Sequence, residues 1–251
     1  MKKFQNITDK IAPSIIIAVL LMIWQILSMV NIIPKFMLPS PFEVVKAFVL
    51  DFPLLMEHTK ITLLEAFLGL SLGIILGFAV AVIMDRFEYA YKMIYPVLII
   101  SQTIPTVAIA PLLVLWLGYG ILPKITLIVM TSFFPITIGL LDGFRSADKD
   151  MLNLLKTMGA TPFQNFVHVK LPGSLGYFFA GLRISVSYSI IGAVVAEWLG
   201  GFSGLGVYMT RVRKSYSFDK MFAVIFLISA ISLLLMYLVK KIQKWCMVWE
   251  K

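Results

Sequence analysis

The sequence predicts an all-helical, multi-pass membrane protein with six transmembrane helices in a single domain. Of its 251 residues, 60% are hydrophobic and 14% are charged, and the mean hydropathy is +0.93. Soluble domains carry about 25% charged residues. The apolar runs are continuous and do not alternate with polar residues, which favours helices over a membrane barrel. The net charge of +9 does not indicate nucleic-acid binding, because Lys and Arg lie at the ends of apolar segments, as they do in membrane proteins.

The predicted helices follow long apolar runs, each able to cross about 30 Å of hydrocarbon at about 1.5 Å per residue. The first run is expected to be a retained helix, since no small-residue cleavage site follows it. The stretch 42–60 is expected to form a short helix in the membrane interface, and Pro105 and Pro111 are expected to kink the third crossing. The six predicted helices cover residues 11–32, 61–84, 92–117, 122–141, 175–199 and 220–237.

The distribution of basic residues predicts the orientation. Six crossings place both termini on one side, and the segments on that side then hold more Lys and Arg than the opposite ones. The positive-inside rule therefore predicts cytoplasmic termini. The basic cluster of Arg211, Arg213 and Lys214 on the outer side opposes this orientation. The polar segment 142–172 is then predicted to lie in the cytoplasm.

This cytoplasmic segment contains a spacing pattern centred on Gly159. Nine residues separate Gly159 from Val169-Lys170-Leu171-Pro172. The pattern resembles the cytoplasmic loop of ABC importer permeases, in which Glu-Ala-Ala, three residues, Gly, nine residues and Ile-x-Leu-Pro follow one another. Here Asn153-Leu154-Leu155 stands at the Glu-Ala-Ala positions. The resemblance implies the type I ABC importer permease fold and a loop that couples the chain to a separate ATPase.

A short amphipathic helix within this loop is the predicted contact with the ATPase. Leu152, Leu155 and Met158 have helical spacing and form a small apolar face that fits a groove of a soluble partner. The glycine turn and the Leu-Pro pair that follow this helix are also predicted to contribute to the contact. The candidate ATPase-coupling residues are Leu152, Leu155, Met158, Gly159, Ala160, Leu171 and Pro172.

Further segments resemble the branch of these permeases that serves nitrate, sulfonates, taurine and thiamine precursors. Two segments of the carboxy-terminal half, 192–200 and 204–209, are similar to permeases for the pyrimidine precursor of thiamine. The resemblance implies hydroxymethylpyrimidine or formylaminopyrimidine as solute, with sulfonate or taurine, nitrate and riboflavin as alternatives. The segments shared with the wider branch are Leu38-Pro39-Ser40-Pro41, Ile104-Pro105, Pro111, Trp116-Leu117-Gly118 and Phe134-Pro135.

Several residues in the membrane are candidates for the solute pathway. Arg183 and Glu197 are charges within the fifth helix, where a charge usually faces an interior or aqueous space. Instead of lining the pathway, Arg183 could pair with a neighbouring helix. Glu197 could instead anchor the outer loop. One of the three aromatic candidates, Trp116, Tyr188 and Trp198, is expected to stack on the solute. The candidate pathway residues are Arg183, Ser187, Tyr188, Glu197, Trp198 and Trp116, whereas Ser185, Ser189, Gly192 and Ala196 form a small-residue stripe predicted to pack helices.

The partners follow from the resemblance and from missing motifs. No Gly-x-x-x-x-Gly-Lys-Ser/Thr loop is present, so ATP and Mg²⁺ are expected on separate ATPase subunits. The chain itself is expected to bind no cofactor or metal and to be no enzyme. An extracellular or periplasmic solute-binding protein, a second permease copy and membrane lipid are the other expected partners, in a bacterial inner membrane. The rival hypotheses are an ion-coupled carrier, with Glu65 or Glu197 as proton sites, and a membrane-embedded enzyme.

Overall fold

The computed structural model describes residues 2–30, 34 and 37–247. These residues form eleven α-helices and one π-helical turn, with no β-strand among them. The predicted all-helical class is confirmed. The helices are α1 (Lys2–Met29), α2 (Pro41–Leu50), α3 (Phe52–Arg86), α4 (Glu88–Ser101), α5 (Thr106–Leu117), α6 (Ile121–Arg145), α7 (Lys149–Thr157), α8 (Pro162–Asn165), α9 (Leu171–Gly200), α10 (Leu205–Lys214) and α11 (Phe218–Cys246), with the π-helical turn Phe166–Lys170 before α9.

Four of the described helices are long and apolar enough to cross a membrane. They are α3, α6, α9 together with the residues from Pro162 onward, and α11. The pair α4 and α5 is apolar enough for a fifth crossing, although its two axes are bent by 100°. Helix α1 adds a shorter apolar stretch, Ile15–Met29. The structure therefore supports several crossings, and the predicted count of six is not confirmed.

The observed helices extend beyond the apolar cores that the sequence marks. Helix α3 begins at Phe52, so the interfacial helix expected over 42–60 is limited to α2. Ser40 caps α2, because its Oγ accepts the N–H of Glu43 at 3.2 Å while the Glu43 carboxylate accepts the Ser40 N–H at 2.7 Å. Helices continue past the hydrocarbon because water and headgroups solvate their polar ends. Residues 31 and 32, at the end of the first predicted helix, lie outside the described part of the chain.

The predicted kinked helix over 92–117 is two helices in the structure. Helix α4 ends at Ser101 and α5 begins at Thr106 after Pro105. Proline has no N–H to donate and moves the preceding residue away from helical geometry. Pro111, in contrast, lies inside α5 without ending it. The proline at 105 therefore breaks the helix that the sequence analysis expected it to bend.

The described chain divides into two compact units, the larger formed by His58–Val207 and Ile228–Lys251. In the larger unit α6 packs closely against both α3 and α9. Three glycines of α3 face α6 at intervals of four residues, and a methyl group at Gly73 would come within 2.5 Å of Ser132 Oγ. On α9, a methyl group at Gly181 would overlap the Pro135 carbonyl. Ser185 and Ser189 of the predicted small-residue stripe are buried, and Ser185 Oγ donates to the Ser132 carbonyl at 2.6 Å. These contacts are those of close helix packing in membranes. The α3 glycines are Gly69, Gly73 and Gly77.

The smaller unit, Met1–Glu57 and Tyr208–Leu227, is organised around Asp51. Its carboxylate accepts the Tyr208 hydroxyl at 2.5 Å and pairs with Lys220 Nζ at 2.7 Å. Burial acts to raise the pKa of Asp51, but the bonds from Lys220 and Tyr208 outweigh it, so the pKa of Asp51 lies below its ordinary value. The Trp24 ring packs 5.7 Å from that of Phe226. Asp51 thereby joins the end of α2 to α10 and α11, and the Trp24–Phe226 contact packs α1 against α11.

Candidate functional site

The polar segment after α6 folds into a compact helix–turn–helix. Asp148 caps α7, since its Oδ1 accepts the N–H of Asp150 at 2.8 Å. Helix α7 ends at a turn in which Gly159 has φ of +83°, a backbone conformation that side chains with a Cβ rarely adopt. Thr161 and Gln164 form a reciprocal cap at the start of α8. Local caps therefore define this segment, which we call the coupling segment (residues 148–170).

The apolar residues of the coupling segment divide into two sets. Leu152 and Leu155, from the predicted face, are half-buried, and they line cavities of about 600 and 280 Å³ respectively. Met158, from the predicted face, is 74% exposed. Met151 and Leu154, which were not among the predicted coupling residues, are exposed as well. Residues 151, 154 and 158 also have helical spacing, so the periodicity that predicted the first apolar face could have predicted this exposed one. Phe163 is exposed beside them, Ala160 is half-buried, and Leu171 and Pro172 lie in the first turn of α9 rather than in a loop.

Two contacts connect the coupling segment to the membrane helices. Lys170 Nζ pairs with both carboxylate oxygens of Asp85, at 2.7 and 2.9 Å, at the end of α3. The Phe166 ring packs edge-on against Phe144 of α6, with centroids 5.1 Å apart. The coupling segment therefore contacts α3 and α6 directly.

A groove about 430 Å³ in volume lies along α6 and α9, next to the break between α4 and α5. On α9 it is lined at positions 177, 181, 184 and 188, which form one helical face. We call this cavity the membrane groove. Its size is within the range of small-molecule sites. Its lining residues include Gln102, Phe134, Asp142, Tyr177, Ile184 and Tyr188.

Of the six candidate pathway residues, Tyr188 alone lines the membrane groove. Arg183 donates from Nη1 to Gln243 Oε1 of α11 at 2.6 Å, which is the structural pairing considered as its alternative. Ser187 is half-buried. Trp198 and Trp116 are exposed near the ends of α9 and α5. The face chosen from the sequence is rotated by one residue, about 100°, from the face of α9 that lines the groove.

Glu197 belongs to a buried polar network rather than to the groove. Its side chain is almost fully buried, accepting the Thr62 hydroxyl at 2.7 Å and the Gly206 N–H at 2.6 Å. Thr62 Oγ1 in turn accepts the N–H of Leu205 at 2.9 Å, and His58 Nδ1 accepts that of Gly204 at 2.9 Å. Side chains from α3 and α9 thus satisfy the first N–H groups of α10. The sequence alternative in which Glu197 anchors the outer loop agrees with this geometry.

A buried ion pair lies close to this network. Lys124 Nζ contacts Glu65 Oε1 at 2.5 Å, and the two side chains are 7% and 5% exposed. The second oxygen of Glu65 has no hydrogen-bond partner among the described residues. Glu197 interacts electrostatically with both members of the pair. Two carboxyl groups and one ammonium are therefore held together inside the helical bundle.

The chain resembles known proteins over most of its length. Residues 69–246 match the family described as binding-protein-dependent transport system inner membrane component. The chain belongs to this family. A probable ABC transporter permease protein of Haemophilus influenzae is 41% identical to it, over 90% of this chain and 92% of the relative. The formylaminopyrimidine transport permease protein ThiX of Halalkalibacterium halodurans is 38% identical, over 95% of this chain and 96% of the relative.

The same fold occurs in a solved transporter. The crystal structure of an amino acid ABC transporter with histidines matches 78% of this permease and 94% of its own chain, with a TM-score of 0.62 at 16% identity. The predicted resemblance to ABC importer permeases is confirmed, and the chain is a multi-pass permease subunit of such an importer. Importers of this class combine a permease with an ATPase and a solute-binding protein.

In this permease, Glu197→Gln is expected to lower the free energy of unfolding by about 1–3 kcal/mol, the cost of leaving a buried polar group unsatisfied. The carboxamide offers one oxygen where the carboxylate offers two, so Thr62 and Gly206 cannot both keep their acceptor. Denaturant unfolding of the detergent-solubilised protein measures the effect. Glu57→Gln, at an exposed glutamate, is the matched control, and equal stability of the two variants would contradict the network's role.

Proposed function

We propose that this permease imports an aminopyrimidine precursor of thiamine, formylaminopyrimidine or hydroxymethylpyrimidine. The observation that carries the proposal is the 38% identity with the formylaminopyrimidine permease ThiX, over 95% of this chain and 96% of that one. The matched region covers 95% of this chain and so spans both the coupling segment and the membrane groove. It therefore includes the parts of the chain that would receive energy and the parts that would meet solute.

In the proposed mechanism, the coupling segment docks on a separate ATPase that binds ATP and Mg²⁺. The exposed side chains of Met151, Leu154 and Met158 favour an apolar groove of a partner protein over water. Movement of the ATPase would displace α7, and the Lys170–Asp85 and Phe166–Phe144 contacts would pass the displacement to α3 and α6. The permease would then change shape without covalent chemistry, binding no cofactor of its own.

The proposed assembly contains two copies of this chain. The membrane groove is open on one side, so one copy offers part of a pathway and a second copy would complete it. Both termini and the coupling segment would lie in the cytoplasm, with basic residues near lipid headgroups. A binding protein would deliver solute at the opposite surface.

The test is transport by the reconstituted complex. The permease, the ATPase that co-purifies with it and its solute-binding protein are placed in liposomes. Uptake of radiolabelled formylaminopyrimidine or hydroxymethylpyrimidine is then measured with and without ATP. We expect ATP-dependent uptake of at least one pyrimidine that excess taurine, alkanesulfonate, nitrate or riboflavin does not reduce.

Other results of this experiment would overturn the proposal. ATP-dependent uptake of taurine, a sulfonate, nitrate or riboflavin, with no uptake of either pyrimidine, would reassign the solute. Pyrimidine uptake driven by an ion gradient in liposomes containing the permease alone would contradict ATP-driven import by this chain. Matched liposomes that carry the ATPase but lack the permease serve as the control.

A further inference from the structure

The membrane groove contains polar side chains that have no partner in the described structure. Gln102, Asp142, Tyr177 and Tyr188 all line it, and none of their side chains has a hydrogen-bond partner among the described residues. Several other polar side chains of α6 and α9 are paired, as Ser185 is with the Ser132 carbonyl at 2.6 Å. Asp142 lies at the start of the polar segment predicted to be cytoplasmic, whereas unpartnered polar groups deeper in a membrane domain are costly unless they face water or solute. The groove is therefore a mostly apolar surface with a few polar groups free to bind water or solute.

The groove reaches from the coupling end of the bundle toward the middle of the membrane. Its lining on α9 runs from Tyr177 to Tyr188, about 16 Å along the helix axis and about half of the hydrocarbon thickness. Asp142 lies one turn before Arg145, which contacts Glu88 at 3.7 Å at the start of α4. Gln102 follows the other end of α4, about 20 Å further along. Asp142 and Gln102 thus lie toward opposite ends of the membrane groove.

The charge of the groove distinguishes classes of solute. None of its described lining residues is Lys or Arg, and Asp142 is an acid. Sulfonate and nitrate are anions, which proteins usually bind with Arg, Lys or free N–H groups. An acidic groove without a cation repels them. Its charge is compatible with a neutral or cationic solute, in agreement with the heterocycle named in the proposed function.

We infer that the membrane groove selects the solute, with Gln102 forming a paired hydrogen bond to an amino-substituted ring and Asp142 excluding anions. This inference rests on the proposed function. An aminopyrimidine presents a ring nitrogen that accepts beside an exocyclic amine that donates. A carboxamide matches both, as Gln does on the corresponding edge of adenine. The break after α4 places Gln102 outside regular helix, and the half-exposed Tyr188 ring offers a stacking surface.

The test compares two solutes on two permeases. Uptake of the aminopyrimidine and of the analogue with hydrogen in place of the ring amine is measured for wild type and for Gln102→Leu, with the same binding protein. Selection by the binding protein then cancels in the comparison. ATPase turnover is recorded in parallel, because a merely structural defect would lower both uptakes and the turnover together. We expect the preference for the amino compound to fall about tenfold in Gln102→Leu, with ATPase turnover retained.

A second variant makes the inference testable if Gln102→Leu does not fold. Asp142→Asn is expected to raise uptake of a pyrimidine carboxylate relative to the neutral compound at least threefold. An unchanged solute preference in a folded Gln102→Leu variant, or an unchanged preference in Asp142→Asn, would overturn the inference. Absence of aminopyrimidine uptake by wild type would instead contradict the proposed function, so the two failures are distinguishable.

Discussion

Replacing Lys124 by Met is expected to lower the free energy of unfolding by about 3–5 kcal/mol, the cost of breaking a buried ion pair by removing one partner. Without the ammonium, the Glu65 carboxylate remains buried, and its second oxygen already has no hydrogen-bond partner among the described residues. Glu197 lies near this pair. Two carboxyl groups would then lie near each other with no cation between them. Denaturant unfolding of the detergent-solubilised permease measures the loss.

The double variant Glu65→Met with Lys124→Met is the informative control for this prediction. It removes both charges and keeps apolar volume, so we expect it to recover at least half of the lost stability. Glu88→Gln tests the exposed Arg145–Glu88 contact of 3.7 Å, and it should change stability by less than about 1 kcal/mol. If Lys124→Met were as stable as Glu88→Gln, the pair would not be the buried interaction that the structure shows.

Replacing Gly159 by Val is expected to abolish association of the permease with its ATPase and to reduce ATP-driven uptake at least tenfold. The backbone at Gly159 has φ of +83°, which a β-branched residue adopts only with strain. Space is not the limit, because a Cβ there would meet no atom within 4 Å. The turn would change shape and move Met158 away from the exposed face of α7. Co-purification of a tagged permease from its native membrane measures ATPase retention.

Two substitutions separate backbone conformation from side-chain size in this experiment. Gly159→Asn should retain more ATPase than Gly159→Val, since Asn tolerates left-handed backbone better than other residues with a Cβ. Gly173→Ala adds a methyl group at another open position that lacks positive φ, and it should bind ATPase as wild type does. Full ATPase retention by Gly159→Val would show that this turn does not position the docking surface.

The fold was predictable where the sequence signal is local. Long apolar runs predicted the positions of α3, α6, α9 and α11, because hydropathy alone decides whether a segment enters lipid. The 100° break between α4 and α5 was not predictable in the same way. Pro105 and Pro111 look alike in sequence, yet Pro105 lies at the break and Pro111 lies inside α5.

The site was less predictable, because it depends on which face of a helix meets which neighbour. The short helix before Gly159 and the turn at Gly159 were predicted from spacing along the chain, and their coupling role stays a prediction. It selected Glu197 for the pathway, whereas the structure places that side chain in a network with Thr62 and Gly206. It passed over Gln102 and Asp142, since single polar residues near helix ends have no periodic signal. Tyr188 was selected for its ring, and the groove contains it.

The glycines of α3 that face α6 have a consequence for the kind of motion that the permease can make. With the helices in such close approach, sliding of α3, α6 or α9 past one another would produce collisions. We therefore expect these helices to move as one rigid block, with large internal rearrangements at joints such as the break at 102–105. Distances between spin labels placed within the block would stay constant through a transport cycle, while distances from the block to α5 would change.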